Sequence, residues 1–405
     1  MTIMRWRLGA LIAALALALA ACGGAADTAD PGPDATAPDG GEATGEPTVE
    51  DTGADTGADA GEDAGETGEL TPVSLQLQWF AQAQFAGYYA AVAEGFYADE
   101  GLDVEIVEGG VDIVPQTQLA TGAVDFAIAW VPKALASRQE GAAITNIGQI
   151  FQRSGTLQVS WADSGISTAA DLEGKTVGNW GFGNEFELLA GLRKAGLDPN
   201  TDATLVQQQF DMSALLAREI DAAQAMTYNE YAQVLETVNP ETGELDPPED
   251  LSVIDWNEEG TAMLQDAIWA DATRLSDAAY RDTAVRFLTA SLQGWIFCRD
   301  NPDDCVEHVL AAGPTLGTSH QTWMMAEINK LIWPSPNGIG VLDQGLWDQT
   351  VTVAVDEQII AEEPEAEAFT TELAEEAVAA LEEEGLDVRG EGYTAPEVEL
   401  AEGGA

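Results

Sequence analysis

The sequence predicts an α/β protein. Short β-type runs alternate with helical stretches from residue 73 to about 270. The pattern then changes to helices alone, and hydrophobic residues at 45% of 405 positions are enough for a sizeable core. Alternation of this kind predicts α/β units with mainly parallel sheets. The length fits two to three domain-sized units.

The elements follow in order. Val73, Leu75, Leu77 and Trp79 alternate with polar residues, which marks a strand. Phe85 to Glu94 has a helical pattern and stops at Gly95; the chain then turns into a strand through Leu102, Val104 and Ile106. Further strands are predicted at Phe126–Trp130, Ile144–Ile150, Thr176–Asn179, Thr204–Gln209, Ala222–Thr227, Leu251–Asp255 and Met263–Trp269. Helices are predicted at 186–195, 276–299, 305–312, 319–332, 343–360 and 365–384. The last is amphipathic through Phe369, Leu373, Ala377, Val378 and Leu381, so the acidic C-terminus is expected to pack back on the domain, helped by Leu386, Val388 and Tyr393.

Charge excludes several classes. The chain carries 71 acidic and 15 basic residues, a formal charge of -56. A nucleic-acid binder needs a basic footprint, and none exists. Two histidines, His308 and His320, and three cysteines are too few for a standard zinc site. The acidity of the folded part is consistent with solubility or with a saline or alkaline habitat.

The N-terminus reads as an export signal. Arg5 and Arg7 precede an apolar run, Leu8 to Ala21, too short to span a bilayer. It ends Leu19-Ala20-Ala21-Cys22-Gly23, which resembles the bacterial lipobox. The resemblance implies a signal peptide over 1–21, a mature protein starting at Cys22, and acyl chains holding that cysteine to the outer face of a membrane. Residues 23–70 hold 14 acidic and no basic residues, with repeats such as Asp51-Thr52-Gly53-Ala54. Residues 22–71 are therefore expected to be a disordered acidic linker ahead of a folded domain at 72–400.

Cys298 and Cys305 are seven positions apart. On one continuous helix they would be about 10 Å apart, too far for a disulfide. Asn301-Pro302 lies between them and should break the helix, so they can face each other across a corner. A structural disulfide is expected for an exported chain.

Several stretches carry a family resemblance. They are Leu77 to Tyr89 (LQWFAQAQFAGYY), Glu94-Gly95-Phe96-Tyr97, Glu100 to Val104, Gly122 to Ile128, Asp171 to Gly178 and Ala225 to Glu230. Together they resemble solute-binding proteins of ABC importers, in the branch that includes thiamine-pyrimidine-precursor binders and sulfonate, taurine and nitrate relatives. The resemblance implies a two-lobed periplasmic-binding-protein-like fold of type 2, with a hinge of two crossing strands and C-terminal helices. Lobe one would be about 73–160 plus 270–400, and lobe two about 165–260. It implies a small-molecule ligand clamped by lobe closure, a membrane permease as partner, no cofactor and a monomer.

In open α/β sheets ligands sit beyond the carboxyl ends of strands. Trp79, Phe80, Gln82 and Gln84 follow the first strand, and Trp130 ends the third. Phe151, Gln152 and Arg153, Trp180 to Glu185, Tyr228 to Glu230, and Trp256 and Glu258 follow others. Four of these ends bear a tryptophan, which suits a flat conjugated ligand, although tryptophans also pack cores. The binding candidates are Trp79, Trp130 and Trp180 for stacking, and Gln84, Asn184, Glu185, Tyr228, Asn229 and Glu230 for polar recognition. The Gly178-to-Glu185 stretch (GNWGFGNE) opens a helix but lacks the spacing of a P-loop or a dinucleotide fingerprint. Glu185 and Glu187 stand in its first turn, either against the helix dipole or against ligand.

Arg153 is the only basic residue this reading places near the strand ends, against Glu185, Glu230 and Glu258. That balance points to a neutral or cationic ligand: an aminopyrimidine first, riboflavin second, and sulfonate, taurine or nitrate less well. The rival class is an enzyme, because related fungal enzymes make the thiamine pyrimidine. Their chemistry resembles one needing a cysteine-rich iron motif and a reactive histidine, and this chain lacks the motif. His308 and His320 are expected in C-terminal helices, away from the strand ends. A surface adhesion or sensor role fits the linker but leaves the lobe pattern unexplained.

Overall fold

The computed structural model describes residues 69–405. The lipidation candidate Cys22, the signal segment and nearly all of the acidic linker lie outside the described residues. Among the described residues ten strands build two sheets of five. The first sheet holds β1 (Thr71–Gln76), β2 (Leu102–Val107), β3 (Phe126–Trp130), β4 (Ile144–Gln149) and β10 (Asp266–Asp271), in the order β2-β1-β3-β10-β4. The second holds β5 (Thr156–Trp161), β6 (Thr176–Asn179), β7 (Thr204–Gln207), β8 (Ala222–Met226) and β9 (Leu251–Asp255), in the order β7-β6-β8-β5-β9. Each sheet with its helices makes one lobe.

The sheets are mixed, not mainly parallel. β1 pairs parallel with β2 and β3, and β6 with β7 and β8. The strand that arrives from the other lobe runs against its neighbours: β10 against β3 and β4, and β5 against β8 and β9. The chain crosses between sheets twice, through 150–155 and 256–265. The sequence analysis predicts no strand at β5, although Leu157, Val159 and Trp161 alternate with polar residues. Its place in the second sheet moves the end of lobe one's first segment from about 160 to about 150. The expected strand 263–269 starts three residues later, at Asp266.

The first lobe's core is organised by the helix Ala278–Asp300, whose Phe287, Leu288 and Trp295 are buried. It lies against the helix Ala86–Ala93 with backbones nearly touching, since a side chain on Gly294 would collide with the Gly87 carbonyl. Leu373, Ala377, Val378 and Leu381 of the helix Glu372–Glu383 are buried in that core, and Val388 joins them. The C-terminal region therefore packs back on the domain, with Phe369 just before the helix and half-buried against Trp347. The helix Thr318–Ile332 straddles the lobes. Its Met324, Met325 and Ile328 join the first core, while Trp323 packs on the second and donates to the Thr227 carbonyl at 3.0 Å. Leu400 also packs on the second lobe's core, and Gly403 donates its N–H to the Glu236 carbonyl at 2.9 Å. Residues 270–400 thus do not belong to lobe one alone.

A buried polar network ties the two crossings together. Glu187, in the helix Phe186–Lys194, accepts from Ser154 Oγ at 3.0 Å in one crossing and from the Met263 N–H at 2.6 Å in the other. Gln265 donates to Ser154 Oγ at 3.0 Å and to Thr156 Oγ1 at 2.7 Å. Glu187 is therefore a hinge residue, and it neither faces ligand nor serves only the helix dipole. Burial raises its carboxyl from 4.5 to about 8, against the lowering effect of these donors. Cys298 and Cys305 are paired across the corner between the helices 278–300 and 302–312, with Cα atoms 5.4 Å apart.

Two tests follow from this packing. Cys298→Ser should lower unfolding free energy by about 2–3 kcal/mol, read by denaturant titration under non-reducing conditions. Glu187 binds a proton more tightly in the folded chain, so its stabilising contribution is complete below about 4.5 and is lost as pH rises through about 8. Stability measured by urea titration should therefore fall across that window, and Glu187→Gln should flatten the slope. An unchanged slope would mean that folding does not raise the Glu187 pKa.

Candidate functional site

The lobes meet around a cleft of about 700 Å³. Its walls come from the ends of β1, β3, β6 and β8. Trp79, Gln84, Trp130, Trp180, Asn184, Tyr228, Asn229 and Glu230 all line it. Glu185 does not: its carboxylate accepts from the Gly183 N–H at 3.0 Å and shapes the glycine loop. Phe182 at the tip of that loop is in the left-handed region at φ 54° and is 78% exposed at the cleft's mouth.

The aromatic walls come from both lobes. Phe210, on the loop after β7, stands between Trp79 of the first lobe, at 5.1 Å between ring centroids, and Trp180 of the second, at 6.1 Å and nearly parallel. Trp256, the fourth strand-end tryptophan, is fully buried against Gly191 and takes no part in the cleft. Its ring fills the space that a Gly191 side chain would need.

The charges differ from the expected balance. Arg153 donates to the Pro334 carbonyl at 3.0 Å and is not among the lining residues, and Glu258 is also absent from the walls. The cationic group in the cleft is Lys133, one turn beyond β3. Its Nζ lies 4.9 Å from the Trp130 ring and donates to Asn184 Oδ1 at 2.7 Å, linking the lobes. Burial lowers Lys133 to about 8, opposed by Glu185 and Asp266. Lys133 follows a predicted strand end, so the rule that selected Trp130 was enough to find it.

Glu230 is buried and already engaged. It accepts from the Met226 N–H at 2.9 Å and from Asn229 Nδ2 at 2.9 Å, and burial raises its carboxyl. His320 stands behind Asn229, with Nε2 2.9 Å from Asn229 Oδ1 and Nδ1 3.0 Å from both Glu236 oxygens. The expectation that both histidines lie away from the strand ends fails for His320, because the helix 318–332 crosses to the second lobe. His308 instead meets Glu94 at 2.7 Å on the first lobe.

Asp266 lies just beneath the floor. It is 2% exposed and accepts from Gln78 Nε2 at 2.6 Å, Trp130 Nε1 at 2.8 Å and Gln84 Nε2 at 2.9 Å. Burial raises it to about 6, against the lowering effect of those bonds. The expected strand 263–269 puts Asp266 at its middle, whereas here it is the strand's first residue. Among the described residues no group of three or more His, Cys, Asp or Glu side chains is arranged to hold a metal ion, and no helix is long and apolar enough to cross a membrane.

Comparisons with known proteins agree with this architecture. A formylaminopyrimidine-binding protein from Halalkalibacterium halodurans is 22% identical over 290 residues, covering 70% of this chain and 84% of that protein. The riboflavin-binding protein RibY from Chloroflexus aurantiacus is 25% identical over 291 residues, covering 69% and 79%. The crystal structure of the periplasmic aliphatic sulphonate binding protein from Escherichia coli aligns with a TM-score of 0.54 at 16% identity, over 72% of this chain and 89% of that one. The two-lobed fold is that of the periplasmic binding proteins. The family described as NMT1/THI5 like matches residues 82–305, more than half of the sequence, and the chain belongs to that family.

Proposed function

We propose that this protein is the solute receptor of an ABC importer, capturing a small heteroaromatic nutrient and handing it to a membrane permease. One observation carries the reading: tryptophans from both lobes, Trp79 and Trp130 from one and Trp180 from the other, line a single interlobe cleft. Flat conjugated rings stack on such faces, and the amide, hydroxyl and carboxyl groups between them read the ring edge. A ligand touching both walls favours the arrangement in which the lobes meet, which is the basis of capture by closure. The lipobox-like Cys22 and the acidic linker would keep the receptor, as a monomer, near the permease on the outer membrane face.

An aminopyrimidine is the first ligand class, in keeping with the formylaminopyrimidine-binding relative. A cleft of about 700 Å³ also admits a three-ring ligand, which favours riboflavin as the second reading. Lys133 weakens the charge argument against anions, so sulfonates stay in the test panel. Thiol catalysis is disfavoured, because Cys298 and Cys305 are paired and fully buried.

A thermal-shift panel of aminopyrimidines, thiamine, riboflavin, taurine, alkanesulfonates and nitrate tests the reading. A ligand at 100 times its dissociation constant should add about 2.7 kcal/mol of stability. A response to sulfonate or nitrate alone would overturn the heteroaromatic reading, and turnover of a bound compound would overturn the receptor reading. Trp180→Ala should weaken binding of the responding ring compound by about 1–3 kcal/mol in calorimetry. An unchanged affinity would remove Trp180 from the site.

A further inference from the structure

Asp266 touches three side chains that line the cleft, yet does not line it itself. Its three donors come from separate parts of the chain: Gln78 after β1, Gln84 in the turn 83–85, and Trp130 at the end of β3. β10 runs antiparallel to β3 with Asp266 opposite Trp130, so the start of β10 reaches the same sheet edge as the ends of β1 and β3. A carboxylate accepts and cannot donate. With its carboxyl raised only to about 6, Asp266 is mostly ionised at neutral pH.

That ionised group fixes the direction of every amide around it. Turning Gln78 or Gln84 over would set an amide oxygen against the carboxylate, while the present orientation makes charge-assisted bonds. The order propagates: with its N–H2 on Asp266, Gln84 offers its oxygen inward to Gln82 Nε2 at 2.7 Å. One N–H of each of Gln78, Gln82 and Gln84, and the indole N–H of Trp130, are thereby directed into the protein. Gln78 Oε1 and Gln82 Oε1 have no hydrogen-bond partner among the described residues, and both residues line the cleft. Across the cleft, Trp180 Nε1 is a buried donor without a partner.

We propose that Asp266 is a specificity-determining positioning residue, which turns the amide oxygens of Gln78 and Gln82 toward the cleft and so selects ring ligands carrying N–H donors on that edge. The inference rests on the heteroaromatic reading and narrows it. The matching class has an exocyclic amino or ring imide N–H directed at the Gln78 and Gln82 oxygens. An aminopyrimidine has this pattern, and so does the dioxo ring of a flavin.

The test compares ligands that differ in the donor alone. Calorimetry would measure 4-amino-2-methylpyrimidine against its 4-dimethylamino analogue, and riboflavin against N3-methylriboflavin, on the wild-type protein and on Asp266→Asn. The wild type should prefer the N–H form of the ligand it binds by about tenfold or more, the scale of a hydrogen bond to a buried site. Asp266→Asn brings its own N–H2 to the same place and forces one glutamine to turn, so that preference should fall about tenfold. Gln82→Met removes a floor acceptor without touching Asp266, and should also erode the preference, which keeps the idea testable if Asp266→Asn does not fold. A folded Asp266→Asn that loses affinity equally for both members of a pair would assign Asp266 a structural role only and overturn the proposal. Wild-type binding without preference would overturn the proposal alone. Binding of neither pair by the wild type would overturn the heteroaromatic reading and this inference with it.

Discussion

Glu187 is buried where the chain passes between its two sheets, and its carboxyl receives a hydroxyl from one crossing and a backbone N–H from the other. The helix that carries it also positions the loop 181–184 on the second lobe's wall. One side chain thus couples both crossings to the edge of the cleft. A carboxyl in such a place is stable only with donors fixed around it, which constrains Ser154, Gln265 and the backbone at Met263 together. The relative placement of the two lobes, and so the cleft itself, depends on this network.

Other interlobe contacts reinforce it away from the crossings. Arg193 of the second lobe pairs with Glu357, which is buried beside the first lobe's helix Gln344–Asp356. Lys133 and Asn184 close the cleft on one side, and the helix 318–332 lends Trp323 to the second lobe's core. The C-terminal residues follow that helix across, with the Ala405 carbonyl accepting from Ser319 and Gly403 bonding Glu236. The lobes thus meet through polar contacts and through an apolar cluster in which Trp180, Met226 and Tyr228 of the second lobe join the first lobe's core.

Much of the candidate site was legible because one rule sufficed. Parallel strands bring their carboxyl ends to one edge, so Trp79, Trp130, Trp180 and Tyr228 were found from strand boundaries alone. The same rule failed where its premise failed. β10 is antiparallel, so its first residue, Asp266, arrives at the edge where the other strands finish. Trp256 follows a strand end too, but it turns inward over Gly191. Glu185 and Glu258 carry charge without facing the cleft, because residue type says nothing about where a side chain points. Phe210 gave no local signal; it lies on a loop whose approach to Trp79 is a contact between lobes.

The sequence by itself determined the α/β class, the order of most elements, the helical C-terminal third and its amphipathic last helix, because hydrophobic period and glycine or proline punctuation are local properties. The tertiary structure alone decided which strands run antiparallel, where the chain crosses between lobes, and which polar groups share a hydrogen-bond network. Those outcomes depend on residues far apart in sequence meeting in space: Gln84 and Asp266 are 182 positions apart, and Asn229 and His320 are 91. No window along the chain contains both partners, so their chemistry becomes visible only after folding has fixed the distance between them.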